Sequence, residues 1–79
     1  MMKIGLLWFD DDPKIEFSRK VQEAAHRYEE KFGRQPNVCY ANPDTLPQDG
    51  ITLDGIRVIP SPLVLPFYLW VGNQPEEGD

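Results

Sequence analysis

The stretch Leu63-Val64-Leu65-Pro66-Phe67-Tyr68-Leu69-Trp70-Val71 carries apolar side chains at almost every position. Lys3-Ile4-Gly5-Leu6-Leu7-Trp8-Phe9, near the start of the chain, has the same character. Because successive side chains of a strand point to opposite faces, both stretches predict strands that are apolar on both faces. Such strands belong to sheets that are covered on both sides. Only one segment is patterned as a long helix, so we expect a second copy or another protein to cover the remaining face.

The composition is that of one small folded domain. The chain has 79 residues, of which 41% are hydrophobic, with two Trp, three Tyr and four Phe, which is too apolar for intrinsic disorder. A net charge of -5 argues against generic binding to a nucleic-acid backbone. The sequence contains no apolar run of the roughly 18 residues that span a membrane, and its single cysteine, Cys39, cannot form an internal disulfide. We therefore expect a cytoplasmic protein without a membrane segment.

One amphipathic helix is predicted from Pro13 to about Phe32. Asp12 is the expected N-cap, since proline fits the first helical position, where its missing N–H would have no partner. Gly33 is the expected left-handed C-cap, and Pro36 prevents the helix from resuming. The apolar residues at helical spacing are Phe17, Val21, Ala24, Ala25, Tyr28 and Phe32. They predict the stripe that packs on the sheet.

Short strands are predicted around this helix. Asp54-Gly55 is the strongest hairpin signal in the chain and requires positive φ at both turn positions. The predicted strands are Ile4 to Phe9, Asn37 to Ala41, Ile51 to Leu53, Ile56 to Ile59 and Phe67 to Val71. The fold predicted from this order is α+β, a two-layer sandwich of one helix on a mixed sheet of four or five strands, arranged β-α-β-β-β-β. Residues 1–72 form the domain, and residues 73–79 form a flexible acidic tail.

The function that this pattern favours is a non-enzymatic interaction module, which forms a homodimer or docks on a protein partner through the uncovered sheet face. The residues expected at this interface are Trp8, Phe9, Phe67, Tyr68, Leu69 and Trp70. The sequence from residue 33 to 43, followed by 55 to 62, resembles a rhythm of tailed-phage capsid proteins, in which a proline turn follows one strand and a proline-rich break follows the next. That resemblance implies a role in structural assembly.

The acidic cluster Asp10-Asp11-Asp12 supports a different hypothesis, which ranks third among the functions considered. Leu6 to Pro13 resembles the opening of a response-regulator receiver domain, in which adjacent aspartates after the first strand help to hold Mg²⁺ beside a phosphorylated aspartate. The resemblance implies a magnesium-dependent phosphotransfer function. The other interpretation is that Asp12 caps the helix while Asp10 and Asp11 interact with its positive N-terminal end.

The alternative that ranks next after the interaction module is a nucleic-acid-associated accessory protein that uses the basic residues. A nucleic-acid surface would combine Arg57 and the helix cations with exposed Tyr40, Tyr68 or Trp70 as stacking platforms. The candidate contacts are Arg27, Lys31, Arg34 and Arg57. Because glutamates lie one turn away from the helix cations, a solvated, salt-bridged helix surface is the favoured explanation for these cations.

The remaining chemistry-bearing residues do not form a site. His26 falls on the polar side of the helix, and Cys39 lies in mid-strand, where a thiol is usually a small buried apolar group. With one histidine and one cysteine, the chain lacks the set that a zinc site or a nucleophilic triad requires. We expect no catalytic residue, no metal site and no cofactor.

Overall fold

In the computed structural model, which describes residues 5–46 and 51–74, one helix packs on a five-stranded mixed sheet. The elements follow one another as β1 (Leu6–Phe9), α1 (Phe17–Phe32), β2 (Val38–Ala41), β3 (Thr52–Leu53), β4 (Ile56–Pro60) and β5 (Tyr68–Gly72). The predicted α+β class and the β-α-β-β-β-β order are confirmed.

The last strand of the chain lies inside the sheet. The spatial order is β1-β5-β2-β4-β3, with β5 antiparallel to both of its neighbours and β2 parallel to β4. β1 and β2 therefore run in the same direction on either side of β5, and α1 connects them. This arrangement leaves β1 and β3 as the outer strands of the sheet.

The helix begins four residues later than predicted. Its first residue is Phe17 and its N-cap is Glu16, whose backbone is extended (ψ 152°) and whose side chain makes no capping hydrogen bond. Asp12 is therefore not the helix cap: its side chain accepts a hydrogen bond from the Lys14 N–H (2.9 Å), and its carbonyl accepts one from Ile15. These bonds close a separate turn, because aspartate offers the backbone a local alternative to the helix. The predicted C-cap is confirmed, since Gly33 has φ 79°.

The hairpin of β3 and β4 forms as the Asp54-Gly55 pair predicts. Asp54 has φ 51° and Gly55 has φ 81°, so both turn residues lie in the left-handed region. Leu53 is paired with Ile56 directly across the turn. β3 itself is only two residues long, and the predicted Ile51 lies outside it.

The face of the sheet that contacts α1 holds the main core. Val21 and Ala24 of the helix are fully buried, and the strands contribute residues that alternate with those of the other face. The buried members of this cluster are Val21, Ala24, Ala25, Tyr28, Cys39, Ala41, Leu46, Ile56, Val58, Leu69 and Val71. Leu6 and Trp8 pack against them from β1. The predicted apolar stripe of the helix packs here through its four buried residues and Phe17, whereas Phe32 at the end of the helix is exposed.

Two residues that the sequence assigns to the tail are held by the domain. The Asn73 side chain donates a hydrogen bond to the Gln35 carbonyl (3.0 Å), and the Gln74 N–H donates one to the Asn37 side chain (2.8 Å). The Tyr40 hydroxyl donates to the Gln74 side chain (2.6 Å). The domain thus extends at least to Gln74, while the rest of the predicted tail and Ile4 of the first predicted strand lie outside the described residues.

Candidate interaction surface

Four side chains of β1 and β5 form an apolar row on the face opposite α1. Leu7 is paired with Trp70, and Phe9 with Tyr68, in the antiparallel register of the two strands. The rings of Phe9 and Tyr68 lie 4.9 Å apart between centroids and are tilted by 52°. Tilted contacts of this kind are a favoured geometry for aromatic pairs. The row is thus continuous across the two strands.

The connection between β4 and β5 folds back over part of this same face. Val64 is buried against Val38 and Tyr40 of β2. The Asn42 side chain donates a hydrogen bond to the Val64 carbonyl (2.8 Å), and the Ser61 N–H donates one to the Ala41 carbonyl (2.8 Å). These bonds hold the connection above β2, so it covers the middle of the sheet and leaves the β1 side open.

What remains uncovered is one contiguous apolar area. We define the outer patch as Leu7, Phe9, Leu63, Leu65, Tyr68 and Trp70. Leu63 is 79% exposed, Leu65 66%, Leu7 53% and Phe9 52%. The exposed area is on the order of 500 Å², since a large side chain presents about 150–250 Å². Apolar patches of that size on monomers are frequently functional.

The outer patch contains a shallow cleft of about 270 Å³. It lies between Leu7 of β1 and the returning connection at Leu63 and Leu65, with Tyr68 and Trp70 at its base. None of its described lining residues is charged. A cleft of this composition accepts an apolar side chain from a partner without the cost of desolvating a charge.

The indole of Trp70 lies directly against the backbone of Gly5. A Cβ at Gly5 would overlap the Trp70 ring and come within 2.9 Å of the Val71 carbonyl, so only glycine fits there. The Nε1–H of Trp70 is buried and finds no hydrogen-bond partner among the described residues. The Nε1–H of Trp8, in the helix-side core, is in the same situation. The absence of a side chain at Gly5 therefore allows the Trp70 indole to pack directly on the backbone next to β1.

The structure separates the residues predicted for the interface. Phe9, Tyr68 and Trp70 belong to the outer patch, whereas Trp8 packs against the helix-side core and Leu69 is buried within it. Phe67 precedes β5, with φ 69°, and lines a different cleft. Sequence reasoning missed two leucines of the patch, Leu63 and Leu65. Pro62 and Pro66 were the available signal, because prolines on both sides of a three-residue run indicate a loop rather than a strand.

The basic residues of the helix lie on a different face of the sheet from the exposed aromatic residues. Arg27 lies on the helix side of the sheet, with its guanidinium 5.7 Å from the Trp8 ring centroid, and Lys31 lies over Phe32. Arg57 alternates with the helix-side residues Ile56 and Val58, so it lies on the same face of the sheet as the outer patch, but β2 separates its strand from β5. Tyr40 is 8% exposed, so it offers no platform for a base. Arg34 is exposed just after the helix.

Asp10 of the acidic cluster is engaged in local hydrogen bonds and an ion pair. The Asp10 carboxylate accepts a bond from the Asp12 N–H (2.9 Å), and Lys20 Nζ lies 3.9 Å from it while donating to the Asp10 carbonyl (3.1 Å). Asp10 and Lys20 also line a cleft of about 300 Å³ together with Asp44. Within residues 5–46 and 51–74, no group of three or more His, Cys, Asp or Glu residues is arranged to hold a metal ion.

The two single reactive side chains lie where the sequence predicts them. Cys39 is fully buried in the helix-side core, and burial raises the pKa of its thiol from 9.0 to about 12. A thiol with such a pKa carries almost no thiolate at neutral pH and is a weak nucleophile. His26 is exposed on α1, with Nε2 3.2 Å from the Glu30 carboxylate. Neither residue has the surroundings of a catalytic group.

Comparison with models of protein families, with curated proteins and with solved structures finds no match for this chain. Among the described residues, no helix combines the length and the apolar character needed to cross a membrane.

Proposed function

We propose that this chain is a small, non-enzymatic interaction module that associates with further copies of itself through the outer patch. The observation that carries the proposal is the exposure of Leu7, Phe9, Leu63 and Leu65 on a sheet face that the chain covers only in part. Leaving these side chains in water forgoes the main favourable contribution to folding and association.

A second copy fits this patch for two reasons. A two-fold contact places the same surface on both sides, so an uncharged apolar patch is complementary to itself. Net charge also favours this use of the patch, because a chain with net charge -5 associates most readily through a region that carries none of its acidic residues. The setting that we propose is the cytoplasm, where the single buried thiol of Cys39 stays reduced.

The proposal is tested by sedimentation equilibrium from micromolar to millimolar protein. We expect the wild type to be larger than a monomer at the upper end of this range. Leu65→Glu should weaken association at least about tenfold, equivalent to about 1.4 kcal/mol, because the contact would bury an unpaired charge. Leu65 is chosen over Trp70 because Leu65 is mostly exposed, so its substitution should leave the monomer folded.

His26→Glu is the matched control. It adds the same charge at an exposed position of α1, on the other side of the molecule. Its association should equal that of the wild type. A wild-type protein that remains monomeric at millimolar concentration, or an equal loss of association in both variants, would refute the proposal.

A further inference from the structure

The two outer strands of the sheet differ in their suitability for pairing. β3 has two residues, Thr52 and Leu53, followed at once by the turn. β1 has four uncharged residues, Leu6 to Phe9. Proteins protect edge strands by shortness, charge, proline or bulges. β3 is protected by its shortness, whereas β1 has none of these features within its residues.

The backbone of β1 presents hydrogen-bonding groups to its open side. The Asp10 N–H donates to the Phe67 carbonyl (3.0 Å), so Asp10 directs its backbone towards β5. Because this direction alternates along an antiparallel strand, Leu6 and Trp8 also bond to β5, while the N–H and C=O groups of Leu7 and Phe9 point away from it. No other strand of the described residues pairs with β1 on that side.

We propose that β1 pairs antiparallel with β1 of a second copy and joins the two sheets into one. In this two-fold pair, the outward-facing backbone groups of the two strands form hydrogen bonds with each other. Leu7 of each copy then lies opposite Phe9 of the other copy. Trp8 then lies at the symmetry axis. This inference rests on the proposed function in that both require copies of this chain to associate, but it uses a different surface.

The charges near β1 favour the antiparallel orientation. Asp10, Asp11 and Asp12 follow the strand directly. In the antiparallel pair the acidic clusters of the two copies lie at opposite ends of the contact. A parallel pair would place them side by side, where like charges repel.

Edge pairing leaves the outer patches of both copies side by side on the same face, because a two-fold axis normal to a sheet does not exchange its faces. One patch of about 500 Å² is smaller than the roughly 800 Å² per partner of a standard interface. Two joined patches exceed that area. We therefore expect two edge-paired dimers to stack through their joined patches into a tetramer with three perpendicular two-fold axes.

Disulfide trapping tests the register. In the proposed register, Leu7 and Phe9 of the second copy form a hydrogen-bonded antiparallel pair, whose Cα atoms lie about 5.5 Å apart, within the range for a disulfide. The Cα atoms of Leu7 and of Leu7 in the second copy would lie more than about 7 Å apart. A mixture of Leu7→Cys and Phe9→Cys proteins should therefore cross-link at least about tenfold faster than either protein alone. The wild type is the control for Cys39, which is fully buried. A His26→Cys protein mixed with Phe9→Cys is the control for contact outside both proposed interfaces, because His26 is exposed on α1.

Amide hydrogen exchange of the wild type provides a test without substitution. The Leu7 and Phe9 amides should become protected as protein concentration rises, at least about tenfold between the monomer and the assembly. In sedimentation, Leu65→Glu should convert the tetramer into a dimer that still shows this protection.

A wild-type assembly with neither the preferred cross-link nor the protection would overturn edge pairing but leave the proposed function standing. An edge-paired dimer that is unaffected by Leu65→Glu would overturn the stacking and the proposed function, and a strict monomer would overturn all of them.

Discussion

The two faces of this sheet are built from the same strands and are apolar to a similar degree, yet only one is closed. On the helix side, Cys39 and Val71 are completely buried beneath the 16 residues of α1. On the outer side, Leu7 and Phe9 are about half exposed, because only the connection before β5 returns across that face. The difference shows that the burial of an apolar strand depends on what covers it, and that the pattern of the strand alone does not determine it.

The largest effect should come from comparing one leucine of each face. Leu69→Ala removes a buried side chain from the helix-side core, 3% exposed, and should lower the free energy of unfolding by about 2–5 kcal/mol. Leu63→Ala, at 79% exposure, should change it by no more than about 0.5 kcal/mol in dilute solution. Urea unfolding measures both. Similar losses in the two variants would mean that the faces do not differ as described.

The packing of the outer face is tested at Gly5. Gly5→Ala should destabilise the fold by about 1–3 kcal/mol, because the new methyl group overlaps the Trp70 indole and forces it to move. Trp70→Leu should reduce this cost by removing the ring. A double-mutant cycle from thermal unfolding measures the coupling, and additive effects of the two substitutions would contradict the contact.

The pH dependence of stability at Cys39 tests whether water is excluded from the helix-side core. Burial raises the pKa of its thiol to about 12 from 9.0, so above pH 9 the unfolded chain loses this proton while the folded chain keeps it. Stability is then lost as pH rises from 9 towards 12, by about 1.4 kcal/mol per pH unit. The measurement is the difference in unfolding free energy between wild type and Cys39→Ala over this range. A difference that does not vary with pH would show that the thiol is hydrated.

The smallest effects concern the start of the helix that covers the core. Glu16→Ser should stabilise the protein by about 0.5–1 kcal/mol, since serine at an N-cap bonds to the first turn and Glu16 makes no such bond. Asp12→Ala should cost only about 0.5 kcal/mol, because its bond to Lys14 lies in an exposed turn. Thermal unfolding compares them. A larger loss at Asp12 than gain at Glu16 would favour the N-cap position that the sequence predicted.

Local signals in the sequence predicted most of the fold. Asp54-Gly55 and Gly33 each require a left-handed backbone, and the turns that they predict are present. The prediction that Asp12 is the N-cap was wrong because proline after aspartate is equally suited to a helix start and to an isolated turn. The choice between these depends on the extended backbone of Glu16, for which the sequence has no distinct pattern.

The identity of the open face depended on contacts between distant parts of the chain. Periodicity separated Leu7 and Phe9 from Trp8, and Tyr68 and Trp70 from Leu69, but it could not say which group faces the helix. That was decided by the insertion of β5 between β1 and β2 and by the bonds that hold Val64 over β2. Leu63 and Leu65 were missed for the same reason, since their exposure follows from the path of the connection.

Association through the outer patch is tested most directly by an isotope-filtered nuclear Overhauser experiment on a mixture of labelled and unlabelled protein at millimolar concentration. This experiment detects only contacts between different copies. We expect intermolecular signals from the Leu63 and Leu65 methyl groups to the aromatic protons of Phe9, Tyr68 or Trp70, and none from the helix-side methyl groups of Val21. If the outer patch gives no intermolecular signals and the protein tumbles as a monomer, it does not associate through this patch.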